Sequence, residues 1–158
     1  MKGLCTVTVT TTGAGSEQIG SNTYDIYTYS GTIGTWMVQN SKEGTASYTN
    51  GNNKYYSWSQ RNNACPFSWS VPNQTQWEAL QTYINNTATS TEKAMWNSGS
   101  ALAGGYSVGT LVGSGSYSHW WSSSVSYQYF YVFSGNNLSG PATSDTSPYF
   151  TVRCIKSN

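Results

Sequence analysis

Residues 64–80 read ACPFSWSVPNQTQWEAL, and this stretch carries the clearest local signals in the chain. A helix is expected directly after Pro72, because Asn73 and Gln76 have the spacing of an N-cap residue and its capping-box partner. An apolar face follows at helical spacing, formed by Trp77, Leu80 and Ile84. The sequence therefore predicts an amphipathic helix that packs its tryptophan-bearing face inward.

Short alternating segments on both sides of this helix predict β-strands. The predicted strands are 5–12, 23–29 and 32–39 before the helix, and 119–124, 128–134 and 149–156 after it. The connecting segments are predicted as a turn-rich loop over 40–53, a short helix over 55–63, one more helical turn over 91–96 and a long glycine-rich loop over 99–115. This order predicts an α+β domain with an antiparallel sheet, two helices and a long loop region.

The composition favours an extracellular, adhesive or virion-surface protein over a cytosolic enzyme. Only 8% of the 158 residues are charged and 15% are aromatic, so solubility depends on Ser, Thr, Asn, Gln and Gly. A formal net charge of +1 without a basic run argues against a nucleic-acid partner. The sequence has no stretch of about 18 apolar residues, so no membrane span is predicted. The chain length is that of one domain.

No catalytic, cofactor or metal site is predicted from the polar residues. His119 is the only histidine, and its spacing from Asp25 and Asp145 does not suggest a catalytic triad. The six acidic residues are scattered and form no local pair of the kind that glycosidases use. Cysteine, histidine and acidic residues show no metal-ligand spacing. The chain is therefore expected not to be an enzyme.

The segment 117–149 combines Tyr, Trp and Phe with Ser, Asn and Gly, and holds one acidic residue and no Lys or Arg. Antibody binding loops have a similar composition, because Tyr and Trp give wide contact area at low rotamer cost while Ser, Gly and Asn adapt their hydrogen bonds. The segment is therefore expected either to bind a partner or to pack inside an assembly.

The three cysteines are Cys5, Cys65 and Cys154. An odd number leaves at least one thiol free or paired between chains. Three buried free thiols are the alternative, and the residues alone leave both possibilities open.

The chain resembles the bacterial family called the Fibrobacter succinogenes major paralogous domain and, more broadly, the C-type lectin fold. The motifs that carry this resemblance lie at 34–40 (GTWMVQN), 55–58 (YYSW), 64–72 (ACPFSWSVP), 76–80 (QWEAL), 121–124 (WSSS) and 152–156 (VRCIK). Ser68 stands where the family pattern has glycine, and Ser70 stands where it has arginine. The tryptophans at family landmark positions are expected in the core, namely Trp36, Trp58, Trp69, Trp77 and Trp121.

The resemblance implies a C-type-lectin-like fold and a disulfide between Cys65 and Cys154, at the positions where lectin-like folds commonly pair two cysteines. Cys5 has no partner in this scheme. Calcium-dependent sugar binding is not expected, since the lectin calcium motifs are missing from the sequence.

A second resemblance is to the variable proteins of diversity-generating retroelements, which use the same fold and vary a segment running from a Trp-Ser-Ser motif towards a terminal Val-Arg strand. It implies one domain over 1–158, with an N-terminal strand or extension over 1–22 and a variable binding region over 113–153. The implied partner is a protein or cell-surface receptor. The implied location is extracellular, on a cell surface or on a virion, and homo-oligomerisation is possible.

Ten residues are predicted to contact the ligand: Tyr117, His119, Trp120, Ser126, Tyr127, Gln128, Phe130, Asn136, Asn137 and Tyr149. Within 128–133 the face assignment follows the family, because matching Phe133 to its core phenylalanine puts Tyr129 and Tyr131 inside. The alternative function is a bacterial surface or pilus-associated structural domain without diversification, in which the same aromatic residues would pack against neighbouring subunits.

Overall fold

The computed structural model describes residues 12–97, 102–107, 109–133 and 137–156. These residues form an α+β architecture of two α-helices and mostly antiparallel strands, as predicted. The strands are β1 (Gly13–Ile19), β2 (Asn22–Thr28), β3 (Thr35–Met37), β4 (Tyr48–Asn50), β5 (Asn53–Tyr55), β6 (Gly105–Ser107), β7 (Thr110–Val112), β8 (Tyr117–Trp121), β9 (Gln128–Phe133), β10 (Ser139–Thr143) and β11 (Ile155–Lys156). The helices are α1 (Gln74–Asn86) and α2 (Ser90–Asn97). Neither helix is long and apolar enough to cross a membrane.

The strands form two larger sheets and two hairpins. One sheet has the order β1-β2-β3-β11 and the other β10-β9-β8, while β4 pairs with β5 and β6 with β7. The segment just before β11 ties these parts together, because Tyr149 bridges to Tyr106 of β6 and Thr151 bridges to Trp120 of β8. Residues 149–151 thereby fix the β6–β7 hairpin beside the second sheet.

Helix α1 begins as predicted. The backbone N–H of Gln76 donates to Asn73 Oδ1 at 2.9 Å, and the backbone N–H of Asn73 donates to Gln76 Oε1 at 2.9 Å. This capping box satisfies two of the donors that a helix N-terminus leaves without backbone partners. The apolar face of the helix is buried, as expected for Trp77, Leu80 and Ile84.

The core consists of two clusters, one on each side of the second sheet. The first packs α1 and α2 against β3, β8 and β9 through large aromatic side chains, chiefly Trp36, Trp77, Trp96, Trp120 and Phe130. The second surrounds the segment 150–154, and its main buried residues are Trp69, Trp121, Phe150, Val152 and Cys154. Of the landmark tryptophans predicted in the core, only Trp58 is half-buried, and it packs against the second cluster.

The predicted disulfide is present. Cys65 and Cys154 are bonded, with their Cα atoms 5.7 Å apart and a sequence separation of 89 residues. The bridge ties the loop before Trp69 to the residue that precedes β11. Cys5 lies outside the described residues.

Several predicted elements differ from the structure. The predicted loop over 99–115 contains the β6–β7 hairpin, and the predicted helix over 55–63 is reduced to a 3₁₀ turn at Arg61–Asn63. Strands β1 and β10 were not predicted, since each contains glycine and lacks a β-branched alternation. Residues 5–11 of the first predicted strand lie outside the described part of the chain.

The backbone at Ser68 explains why the family pattern has glycine there. Ser68 has a φ of +71°, in the left-handed region that L-residues other than Asn and Asp rarely adopt. Ser68→Gly should therefore raise the free energy of unfolding by about 0.5–1 kcal/mol, after allowing for the greater flexibility of glycine in the unfolded chain. Urea denaturation measures the change. The control Ser70→Gly, at an extended position bridged to Ile155, should be destabilising, and equal effects of both variants would contradict this reasoning.

A buried carboxylate joins the first sheet to the helices. Glu92 Oε1 accepts hydrogen bonds from the hydroxyls of Tyr27 at 2.9 Å and Tyr83 at 2.7 Å. Its Oε2 accepts from the backbone N–H and the hydroxyl of Thr89, which lies just before α2, at 2.8 and 2.9 Å. Burial alone would raise the pKa of Glu92, but the hydrogen bonds from Tyr83, Thr89 and Tyr27 outweigh it and lower the pKa to about 2.

Acidification should therefore weaken the fold through Glu92. A carboxyl group whose pKa is lower in the folded than in the unfolded protein contributes stability above its unfolded pKa, and that contribution is lost as the pH falls through the folded pKa. The melting temperature of the wild-type protein should fall between about pH 4.5 and pH 2. Glu92→Gln should be less stable at pH 7 by about 1–3 kcal/mol and should show a flatter acid profile. Parallel acid profiles would contradict this role.

Candidate functional site

On the side away from the helices, next to the part that the second core cluster covers, the β10-β9-β8 sheet presents a half-buried aromatic face. We call it the outer aromatic face, formed by Tyr117, His119, Tyr129 and Tyr131. His119 lies opposite Tyr131 in the β8–β9 register, with ring centroids 5.9 Å apart. The His119 ring also contacts Tyr117 at 5.0 Å and Tyr129 at 5.1 Å, both edge to face. Two adjacent strands thus hold four rings in one mutually packed array.

The opposite face of the same strands is core, which corrects three predicted contact residues. Trp120 and Phe130 are fully buried and Gln128 is 3% exposed. The Phe130 ring stacks on Trp77 of α1 at 5.2 Å, and Gln128 Nε2 donates to Gln74 Oε1 at 2.9 Å. The assignment of Gln128 and Phe130 to the ligand side was wrong, because side chains alternate along a strand and α1 covers these two residues of β9.

Tyr129 and Tyr131 consequently lie on the outer face, although the sequence placed them inside. The chemistry of the side chains could have indicated this, because Tyr129 and Tyr131 carry a hydroxyl and Phe130 between them does not. A tyrosine can bury its ring and keep its oxygen at the surface, whereas Phe130 has no polar group to satisfy.

An open cleft of about 320 Å³ adjoins the outer aromatic face. Side chains from three separate segments of the chain line it, chiefly Tyr106, Val112, Tyr117, His119, Pro148 and Phe150. These segments can approach one another closely because glycine occupies positions 105 and 113. A Cβ at Gly113 would lie 1.9 Å from the Tyr117 ring, and a Cβ at Gly105 would lie 2.9 Å from the Phe150 ring. The shape of the cleft therefore depends on these glycines.

The cleft is uncharged. None of its lining residues is Lys, Arg, Asp or Glu, and burial lowers the pKa of His119 to about 4, so that its imidazole is neutral at pH 7. Nδ1 of His119 is buried and has no hydrogen-bond partner among the described residues. A neutral imidazole can carry its proton on either nitrogen. His119 therefore adds a polar ring but no charge to the lining of the cleft.

A second group of tyrosines supports the wall of the cleft formed by Tyr106. The Tyr106 ring stacks on Tyr48 at 4.4 Å and meets Tyr55 edge to face at 4.8 Å. Tyr149, a predicted contact residue, packs edge to face on Tyr48 at 4.9 Å. The hydroxyl of the buried Tyr55 donates to the carbonyl of Ala103 at 2.6 Å. This wall is consequently rigid, since each ring is fixed by at least one other.

The turn between β8 and β9 carries two further predicted contact residues, the exposed Ser126 and the half-buried Tyr127. Tyr127 has a φ of +54° and packs on Trp58 at 5.4 Å. The guanidinium of Arg61 lies 3.2 Å from the centre of the Trp58 ring and donates to the carbonyls of Trp58 and Ser122. The turn is therefore held by a stack of side chains from outside the sheet.

The remaining predicted contact residues lie elsewhere or are not described. Asn136 lies outside the described residues. Asn137 is exposed, and its Oδ1 accepts from Lys93 Nζ of α2 at 3.4 Å. Its neighbour Leu138 accepts hydrogen bonds from α1 through its carbonyl oxygen. The contacts of Asn137 are thus with the helices and not with the outer aromatic face.

The described part of the chain contains no group of three or more His, Cys, Asp or Glu side chains that could hold a metal ion. The polar atoms of the outer aromatic face are tyrosine hydroxyls and one imidazole. The arrangement can bind a partner through ring packing and neutral hydrogen bonds.

The model of the family described as Fibrobacter succinogenes major domain matches residues 6–114, more than half of the chain. No curated protein matches the chain, and no solved structure does. The match ends just before β8, so the outer aromatic face lies beyond it.

Proposed function

The chain belongs to the Fibrobacter succinogenes major domain family, and we propose that it is a non-catalytic binding module for a protein or cell-surface receptor. The contact surface is the outer aromatic face together with the adjoining cleft. The observation that carries the proposal is the juxtaposition of four half-buried, uncharged rings with an open cleft of about 320 Å³. Aromatic side chains next to a pocket are the usual energetic centres of protein interfaces.

The rigidity of the surface supports recognition. Tyr and Trp have few rotatable bonds, so rings already fixed by their neighbours lose little conformational entropy when a partner binds. His119 contacts Tyr117, Tyr129 and Tyr131 within one array. Exposed polar groups such as Ser126 lie at the edge and supply adaptable hydrogen bonds.

We further propose that the scaffold is C-type-lectin-like and that the chain is a variable protein of a diversity-generating retroelement, phage-borne or bacterial. The composition of 117–149 supports this, and the revised set of contact residues is Tyr117, His119, Ser126, Tyr127, Tyr129, Tyr131 and Tyr149. A disulfide persists in oxidising surroundings, which agrees with a location outside the cell or on a virion. A template repeat near the gene, with adenines at these codons, is the expected genomic finding. Near-identical relatives in which the contact codons never vary would contradict diversification.

Binding to arrayed bacterial surface proteins and glycans tests the function directly. The fluorescently labelled protein should bind a subset of the array, and Tyr129→Ser combined with Tyr131→Ser should reduce that binding at least tenfold, the loss expected of one interface hot spot. The matched control is Tyr27→Ser, which removes a half-buried tyrosine from the other sheet and should leave binding intact. Equal binding by the double variant and the wild-type protein would refute the proposed surface.

The alternative is a bacterial surface or pilus-associated structural domain. It is favoured by Phe67, which is 97% exposed beside the disulfide, because a neighbouring subunit would bury this apolar ring. In that case the chain should form concentration-dependent oligomers, measured by light scattering, that Phe67→Ser or Tyr131→Ser dissociates. A strictly monomeric chain would exclude this alternative.

A further inference from the structure

We propose that the cleft beside β8 is a subsite for one uncharged aromatic ring, either the side chain of a partner's tyrosine or a free phenolic compound. This inference deepens the proposed function and rests on it, since it names the chemistry that the binding surface takes. It goes beyond the outer aromatic face because the cleft is built largely from other segments. Tyr106, Val112, Pro148 and Phe150 all lie off strands β8 and β9.

The first argument concerns charge. A charged group entering the cleft would lose its hydration and meet no opposite charge, because the lining includes no acidic residue, lysine or arginine. His119 offers a neutral ring there. A neutral group that can form a hydrogen bond suits this lining best, since its polar members are Ser107, His119 and the two tyrosines Tyr106 and Tyr117.

The second argument concerns shape. A volume of about 320 Å³ lies at the lower end of the range for ligand pockets. It suits one ring system, with room left for its attachment to a larger partner. The cleft is open, so a ring can enter it while remaining part of a peptide chain.

The third argument concerns the walls. Four of the lining residues carry aromatic rings, namely Tyr106, Tyr117, His119 and Phe150. Aromatic rings gain attraction from offset or edge-to-face contacts beyond what their buried area provides. An aliphatic side chain of similar size lacks that contribution. The walls therefore favour an aromatic over an aliphatic occupant.

The test uses the only histidine of the chain as a reporter, because its imidazole gives a single pair of carbon-bound proton signals in NMR spectra. The probes are N-acetyl-tyrosinamide and p-cresol, with N-acetyl-leucinamide and methyl glucoside for comparison. Both phenolic probes should shift the His119 signals in a saturable manner, with a dissociation constant in the millimolar range. The aliphatic probe and the sugar should bind at least tenfold more weakly.

Two matched variants locate the binding. Val112 lines the cleft and is 44% exposed, whereas Val125 lies in the β8–β9 turn and is 56% exposed. Val112→Trp should fill the cleft and abolish the shifts. Val125→Trp introduces the same side chain elsewhere and should leave them unchanged.

Several outcomes decide between the possible ligands. Tighter binding of the blocked tyrosine than of p-cresol supports a partner's side chain as the source, and the reverse order supports a free compound. Preference for the sugar or the leucine derivative overturns the proposal, as does a saturable shift that survives Val112→Trp. If surface-array binding is lost on Tyr129→Ser and Tyr131→Ser while no phenolic probe binds, the subsite is refuted and the proposed function stands. If the probes bind while the array shows no partner, the proposed function fails and the subsite stands.

Discussion

Trp120→Ala is expected to lower the free energy of unfolding by about 3–5 kcal/mol, the usual cost of removing a buried tryptophan. The Trp120 side chain is fully buried. Its ring lies 5.9 Å from Trp77 and 5.6 Å from Trp96, and its Nε1 donates to Asn40 Oδ1 at 2.8 Å. Alanine would leave a cavity between α1, α2 and β8 and remove a buried hydrogen bond.

Chemical denaturation followed by circular dichroism measures this loss. The control is Tyr131→Ala, since Tyr131 lies on β9 close to Trp120 in the sheet but points to the outer face. We expect it to cost about 1 kcal/mol and to act chiefly on binding. A Trp120→Ala protein of unchanged stability with lost binding would show that the residue is a contact and would contradict its place in the core.

Local signals were sufficient for helix α1. The capping box at Asn73 and Gln76 involves atoms within four consecutive residues, and the apolar spacing of α1 needs no tertiary information. The disulfide between Cys65 and Cys154 was different, because it followed from the family resemblance and not from the residues. No local pattern in the sequence indicates that two cysteines 89 residues apart are bonded.

The faces of β9 could not be decided locally. Tyr129, Phe130 and Tyr131 are all aromatic, so the alternation that normally distinguishes the buried side is lost. Trp77 decides it, because its ring stacks on Phe130 at 5.2 Å and thereby places the helix layer on that side. Only tertiary packing supplies this information, and a shift of one residue in the predicted alternation exchanges the core face for the outer aromatic face.

The cleft could not be predicted from the sequence either, because only tertiary contacts bring its walls together. Its walls come from 105–107, Val112, 117–119 and 148–150, which the segment around Tyr149 brings together through its bridge to Tyr106. The sequence between 99 and 115 shows glycines and suggests a loop. Gly105 and Gly113 are instead the positions where backbone and ring meet too closely for a Cβ. Tyr106 was therefore not predicted as a site residue.

Replacing both Cys65 and Cys154 with serine is expected to have an effect of similar size to the tryptophan substitution. The loop that the bridge closes spans 89 residues, and the loss of chain entropy in the unfolded state then corresponds to about 4–5 kcal/mol, with measured values for native disulfides of about 2–5 kcal/mol. That loop contains both helices and strands β6 to β10, hence the whole outer aromatic face and the cleft. We expect a large fall in the urea midpoint for the double variant, and a comparable fall when the wild-type protein is denatured in the presence of dithiothreitol.

Cys5→Ser is the matched control, because it removes a thiol and leaves the bridge intact; it should change the free energy of unfolding by less than about 0.5 kcal/mol. Alkylation followed by mass spectrometry provides an independent measurement, with one thiol modified before reduction and three afterwards. Three modified thiols without reduction would contradict the bridge.

If the bridge acts mainly on the unfolded chain, as the entropy argument states, the reduced protein should still bind p-cresol under conditions where it remains folded. Loss of that binding in the folded, reduced protein would mean that the bridge also holds the native shape of the cleft.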